Sequence, residues 1–189
     1  MKHSNALQKL ILENDLRHKR LDLSQQIKPF DCGNDDLNEY LFKEAAIHQK
    51  HLGFVTYLLE TSTETIAYYS LSNDLLTIQD KENFSEEISE LNIHNDYYEY
   101  FFEQDTYPAV KIGRLAVTKD FQSMGIGEFI IDSLVNNFKI NNKTGCQFIT
   151  VDAINTTRVI SFYERNKFVP LTINDCNKHS RQMYLPIIE

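Results

Sequence analysis

The sequence has no Cys-x-x-Cys pair, no long apolar run, no internal repeat and no low-complexity tract, and its bases are fewer than its acids. Each shortage excludes something. The three cysteines, Cys32, Cys146 and Cys176, lie far apart. That spacing suits reduced thiols rather than a disulfide framework or a thiolate metal site. The longest early apolar run, Leu10 to Leu12, is too short for a signal peptide or a membrane span, so a soluble, cytoplasmic protein is expected. With 19 basic and 27 acidic residues the net charge is −8. This argues against broad, sequence-independent nucleic-acid binding, which sets Lys and Arg against phosphate, while leaving room for a local basic patch. No Gly-Lys-Ser/Thr ending is present, so there is no P-loop. His48 and His51 stand three apart with no further ligands nearby, so no metal is expected.

What is there suits a packed core: 189 residues, 42 % hydrophobic and 12 % aromatic, are expected to form a single domain over 1–189. An N-terminal arm, about 1–17, carries Leu7, Leu10 and Ile11 at helical spacing. Leu21 to Ile27 reads as a first strand. Pro29 to Gly33 is punctuation, and Asn34 or Asp35 can cap a helix whose apolar face is Leu37, Tyr40, Leu41 and Ala45. Phe54–Glu60 and Ile66–Ser72 form an antiparallel hairpin. An insertion, about 73–107, is acidic and dense in aromatics, and its length requires one or two short helices. Later come a strand over Cys146–Ala153 and a helix bearing Val159, Ile160, Phe162 and Tyr163. Asn166 offers a left-handed cap before extended chain at Lys167–Leu171, and Gln182–Pro186 is the last strand. The order is α/β with a mixed sheet.

The segment around which this order turns is KIGRLAVTKDFQSMGIGEFIIDSLV, residues 111–135. It reads as a buried strand, a glycine-bearing turn and a helix with Ile130, Ile131, Leu134, Val135 and Phe138 on one stripe. A helix start leaves N–H groups without partners, and its dipole favours an anion. Gly125 and Gly127 would let a phosphate approach the backbone. A dinucleotide fingerprint needs a third glycine, where Phe129 and Ile130 stand. What remains is Gln-x-x-Gly-x-Gly: Gln122, Gly125 and Gly127.

That pattern after GRLAV resembles the acetyl-coenzyme A loop of the GCN5-related N-acetyltransferases. AINTTRVISFYERNKF resembles the family's final motif, with Lys167 where such proteins often carry glycine. The resemblance covers roughly residues 20–186. It implies a mixed, mostly antiparallel sheet with splayed fourth and fifth strands, flanked by helices. It implies acetyl-coenzyme A as co-substrate, with the backbone of Leu115, Ala116 and Val117 pairing with the pantetheine arm. Amides of Gln122, Ser123, Met124, Gly125, Ile126 and Gly127 would hold the diphosphate, and Asn155 the pantetheine amide. FDCGNDDLNEYL, with IAYYSLS and KIGRLAV, looks narrower still. It is similar to the toxins of toxin–antitoxin pairs that acetylate aminoacyl-tRNA, which implies an antitoxin or tRNA partner.

Acetyl transfer to an amine needs a neutral nucleophile, a donor for the carbonyl oxygen and a donor for the leaving thiolate. The resemblance gives the last role to Tyr163; without it, Tyr163 reads as a core aromatic. Glu103, Asp105 and Asp152 are candidate bases, and none stands out. An α-amine, with pKa ~7.7–8.0 against ~10.4 for lysine, hardly needs one, whereas the acidic insertion favours cationic amines. The acceptor stays open. Arg114 is expected either to pair with an acid of the insertion or to face substrate. Aromatics from Tyr97 to Phe102 can make a homodimer contact or pack inward. A non-catalytic coenzyme A-binding module is the alternative from another class, and a dinucleotide-binding domain a distant one.

Overall fold

A computed structural model describes residues 16–88, 91, 93–142 and 144–188. The helix expected around Leu7, Leu10 and Ile11 lies outside the described residues. In chain order the elements are β1 (Arg17–Arg20), α1 (Asp35–Glu39), a π-helical turn (Tyr40–Glu44), α2 (Ala45–Lys50), β2 (Val55–Glu60), β3 (Thr65–Thr77), α3 (Lys81–Glu87) and α4 (Asn95–Glu103). There follow β4 (Thr106–Val117), a 3-10 turn (Lys119–Phe121), α5 (Ile126–Ile140), β5 (Phe148–Ile154), α6 (Thr157–Arg165), β6 (Val169–Pro170) and β7 (Ser180–Pro186). The strands form one mixed sheet in the order β1-β2-β3-β4-β5-β7-β6, with β4 and β5 parallel. Among the described residues no helix is long and apolar enough to cross a membrane.

The chain divides into two compact units. The first comprises residues 1–72 and 112–132. Its β1 and β3 flank β2 in antiparallel register, Arg20 opposite Tyr57 and Tyr57 opposite Tyr69. Its core gathers Leu21, Phe30, Tyr40, Leu41, Ala45, Leu58, Tyr68 and Ala116. Asn34 caps α1, its side chain accepting from Leu37 N–H at 3.0 Å. The first strand is not where the sequence pattern put it. Residues 21–27 turn instead, because the Asp22 carboxylate accepts from both N–H and hydroxyl of Ser24, an Asx turn that competes with a ladder.

The second unit comprises residues 73–111 and 133–189. Here β5 pairs with β7 over its whole length, Phe148 opposite Pro186 through Ile154 opposite Ser180. Phe84, Phe101, Tyr107, Phe148 and Tyr184 form an aromatic core with Leu76 and Ile78. The aromatics of the insertion therefore divide: Phe84 and Phe101 are buried, whereas Tyr98 and Tyr100 of α4 are exposed. The insertion is also shorter than expected. Residues 73–77 extend β3 and residues 106–107 open β4, leaving 78–105 for α3, α4 and their links.

Candidate active site

In the first unit the end of β4 leads directly into the loop. Gly113 precedes Arg114 because the Phe54 ring leaves no room for a side chain: an added Cβ would collide with Phe54 Cε1. Leu115 and Val117 are half-buried, and Ala116 enters the core. After the 3-10 turn the backbone takes positive φ twice, at Ser123 (63°) and Gly125 (84°). The helix ladder of α5 then opens with Phe129 N–H donating to Gly125 C=O at 2.9 Å. The N–H groups of Ser123, Gly125, Ile126 and Gly127 find no acceptor among the described residues. This is the arrangement of successive amides that receives an anion at a helix start. Gln122 differs from the expectation. Its own N–H donates to Lys119 C=O at 3.3 Å, and its side-chain amide donates to Cys32 C=O at 2.8 Å and to Val117 C=O at 3.0 Å. It braces the loop rather than offering its amide.

Arg114 is exposed. Its guanidinium lies 4.9 Å over the Tyr40 ring and donates to Gly113 C=O, and no carboxylate pairs with it among the described residues. Beneath it Tyr40 is buried, stacked on Tyr68 and His48, and its hydroxyl has no hydrogen-bond partner among the described residues. The π-helical turn causes this packing. Tyr40 and Ala45, about 140° apart on an α-helix, come onto one buried face when Ala45 N–H reaches back to Tyr40 C=O.

The second unit holds the other predicted residues. Tyr163 is 6 % exposed on α6, edge-on to Phe162 and Phe168 with ring centroids 5.0 and 5.1 Å away. Its hydroxyl has no hydrogen-bond partner among the described residues. Burial pushes its pKa above the ordinary tyrosine value. Asn155 is not the helix cap: Thr156 is, accepting from Val159 N–H. Both amide hydrogens of Asn155 are already used, on Cys176 C=O at 2.6 Å and Lys178 C=O at 2.9 Å, which leaves Oδ1 as its open acceptor. The left-handed residue ending α6 is Lys167, with φ 66°, and not Asn166. Two candidate bases are committed: Asp105 pairs with Lys81 at 2.7 Å and Asp152 with Lys111 at 2.5 Å. Glu103 is exposed on α4. Asp74, which no sequence pattern singled out, accepts a short hydrogen bond from buried Thr150.

No protein-family model matches the chain. Solved structures match its fold. AtaTR bound with acetyl-coenzyme A superposes with a TM-score of 0.68 at 21 % identity, over 92 % of this chain and 95 % of that one. AtaT complexed with acetyl-methionyl-tRNAfMet gives 0.68 at 20 % identity, over 91 % and 95 %. A tyrosine-to-phenylalanine mutant of KacT gives 0.70 at 19 % identity, over 92 % and 95 %. Agreement along nine-tenths of both chains, with a mixed sheet in which β4 and β5 run parallel, gives this chain the GCN5-related N-acetyltransferase fold.

Proposed function

We propose that the chain transfers an acetyl group from acetyl-coenzyme A to a primary amine in a ternary complex, as a cytoplasmic enzyme. The observation that carries this reading is the set of open amides at Ser123, Gly125, Ile126 and Gly127, in the fold whose solved members include one bound with acetyl-coenzyme A. Ser123, Gly125, Ile126 and Gly127 would receive the diphosphate, with Met124 within the same bend. The backbone of Leu115, Ala116 and Val117 would pair with the pantetheine arm, and Asn155 Oδ1 would accept from its amide. The amine nitrogen bonds to the thioester carbonyl carbon, the carbon–sulfur bond breaks, and the amine's surplus proton leaves to water. Tyr163 donates its phenolic proton to the departing sulfur, and the phenolate regains a proton from the water that took the amine's. Its raised pKa keeps that proton in place at physiological pH. The same burial disfavours a bare thiolate, so a hydrogen bond from the phenol is worth most there.

Tyr163→Phe is expected to fold normally, hold its KM for acetyl-coenzyme A and lose on the order of 10²-fold in kcat. Steady-state thiol release checks this, and equal turnover would remove Tyr163 from the mechanism.

A second reading narrows the acceptor to the α-amine of aminoacyl-tRNA. Two observations favour it: the AtaT complex with acetyl-methionyl-tRNAfMet shares the fold, and Asp105 and Asp152 are engaged by lysines. An α-amine is partly neutral at pH 7 without a base. AtaT and AtaR are a toxin and its antitoxin. The corresponding expectation here is growth arrest on expression, relieved by a small DNA-binding protein encoded beside it. Thiol release with charged tRNA and none with polyamines or lysine peptides would establish the acceptor; the converse would exclude it.

A further inference from the structure

The turn before α1 and the segment leaving β4 are far apart in sequence and tied together by hydrogen bonds. Lys119 Nζ meets Asp31 Oδ2 at 2.7 Å. Lys119 N–H donates to Asp31 C=O at 2.9 Å, and Thr118 Oγ1 donates to the same carbonyl at 3.0 Å. Gln122 Nε2 reaches Cys32 C=O at 2.8 Å. The turn is braced from its own side: Asp31 Oδ1 accepts from Gly33 N–H and from Asn38 Nδ2, and Asn38 Oδ1 accepts from Cys32 N–H at 3.0 Å. These bonds hold the Asp31 carboxyl down at about 2, the Lys119 hydrogen bond contributing most. Gly33 has φ 80°, and a Cβ there would stand 2.8 Å from Lys119 Cε. A side chain at 33 would have to push away an ammonium stem already pinned to Asp31.

The segment held in this way is short and irregular. Lys119–Phe121 is one 3-10 turn, and two positive-φ residues follow before α5 begins. An anion nest binds well only if its amides stay aimed before the ligand arrives. We infer that Asp31 and Lys119 form a positioning clasp for the diphosphate loop, with Gln122 as its third tie. The clasp sets affinity for the diphosphate portion of the co-substrate and leaves the pantetheine arm alone. This rests on the acetyl-coenzyme A reading, and it gives FDCGN a role at the loop rather than at the acceptor.

Lys119→Met keeps the stem and loses the ammonium; Asp31→Asn keeps the shape and loses the charge. Each is expected to raise the calorimetric Kd for acetyl-coenzyme A about 10-fold while leaving the Kd for acetyl-pantetheine, which lacks the diphosphate, within about two-fold. Equal weakening of both ligands, or of neither, overturns the clasp. In the ligand-free protein the Gln122 amide is expected to exchange its hydrogen at least about 10-fold faster in both variants, with the β2 amides unchanged. Unchanged Gln122 exchange overturns the clasp whatever binds. A wild-type protein that binds neither compound overturns the acetyl-coenzyme A reading instead, so the two failures are distinguishable.

Discussion

Lys167 occupies a backbone region that costs a side chain roughly 1 kcal/mol or more. It stays there because the chain must reverse after α6. Asn166 N–H and Phe168 N–H both donate to Tyr163 C=O at 3.0 Å, and the Asn166 side chain closes on Phe162 C=O at 2.7 Å. Those bonds hold the backbone that carries Tyr163. Lys167→Gly is expected to raise stability by about 0.5–1 kcal/mol, less than the full strain because glycine loses more freedom on folding; a urea midpoint checks it. For Tyr163 the pH argument has one direction. A phenol with a raised pKa stays protonated beyond the ordinary tyrosine range, so no alkaline loss of kcat below about pH 10 should come from it. A descending limb near pH 9 that survives in Tyr163→Phe belongs to another group. Arg114 has its guanidinium on the Tyr40 ring and most of its donors open. Arg114→Leu should raise KM for the acceptor with little effect on KM for acetyl-coenzyme A; an unchanged acceptor KM would limit Arg114 to packing, worth about 0.5–1 kcal/mol.

At the scale of elements, the helical run 35–50 depends on its first residue and on its irregular middle. Asn34→Ala is expected to cost about 1 kcal/mol in a urea titration, by leaving Leu37 N–H without its acceptor. A loss under a few tenths would mean that water replaces the cap. The same run shows what a sequence pattern can and cannot carry. The stripe Leu37, Tyr40, Leu41, Ala45 announced a helix correctly, because burial imposes a period on side chains. It could not announce the π turn, which leaves the composition unchanged and brings Tyr40 and Ala45 into one core with Tyr68. The hairpin was legible from its aromatic and β-branched runs. The far end of β3 was not: Asn73, Asp74 and Thr77 look like loop, yet Leu76 is fully buried and Asp74 is bonded to Thr150. Tertiary partners there override local preference. For the site, Gly125 and the helix after it were readable. The two ties of Gln122 were not, since they depend on carbonyls at Cys32 and Val117 that no side-chain pattern reveals.

At the scale of the whole molecule, net charge misleads. Ten of the 27 acidic residues and one of the 19 basic ones fall between residues 73 and 107. The remainder of the chain holds 17 acids and 18 bases, and is close to neutral. The deficit of bases is therefore a property of one insertion, and it does not exclude an anionic acceptor such as tRNA. What the insertion does is add a negative field that any polyanion must approach against. Neutralising Glu82, Glu86, Glu87 and Glu99 to Gln, positions on or at the end of α3 and on α4, is expected to raise affinity for charged tRNA several-fold at about 50 mM salt. The gain should shrink to nothing near 1 M salt, where charges more than roughly 3 Å apart are screened. Fluorescence anisotropy across a salt series reads this directly. Affinity that rises equally at all salt concentrations would mean the glutamines make new contacts. Affinity that falls would mean that these carboxylates hold the acceptor, which would turn the reading toward a cationic amine and away from nucleic acid.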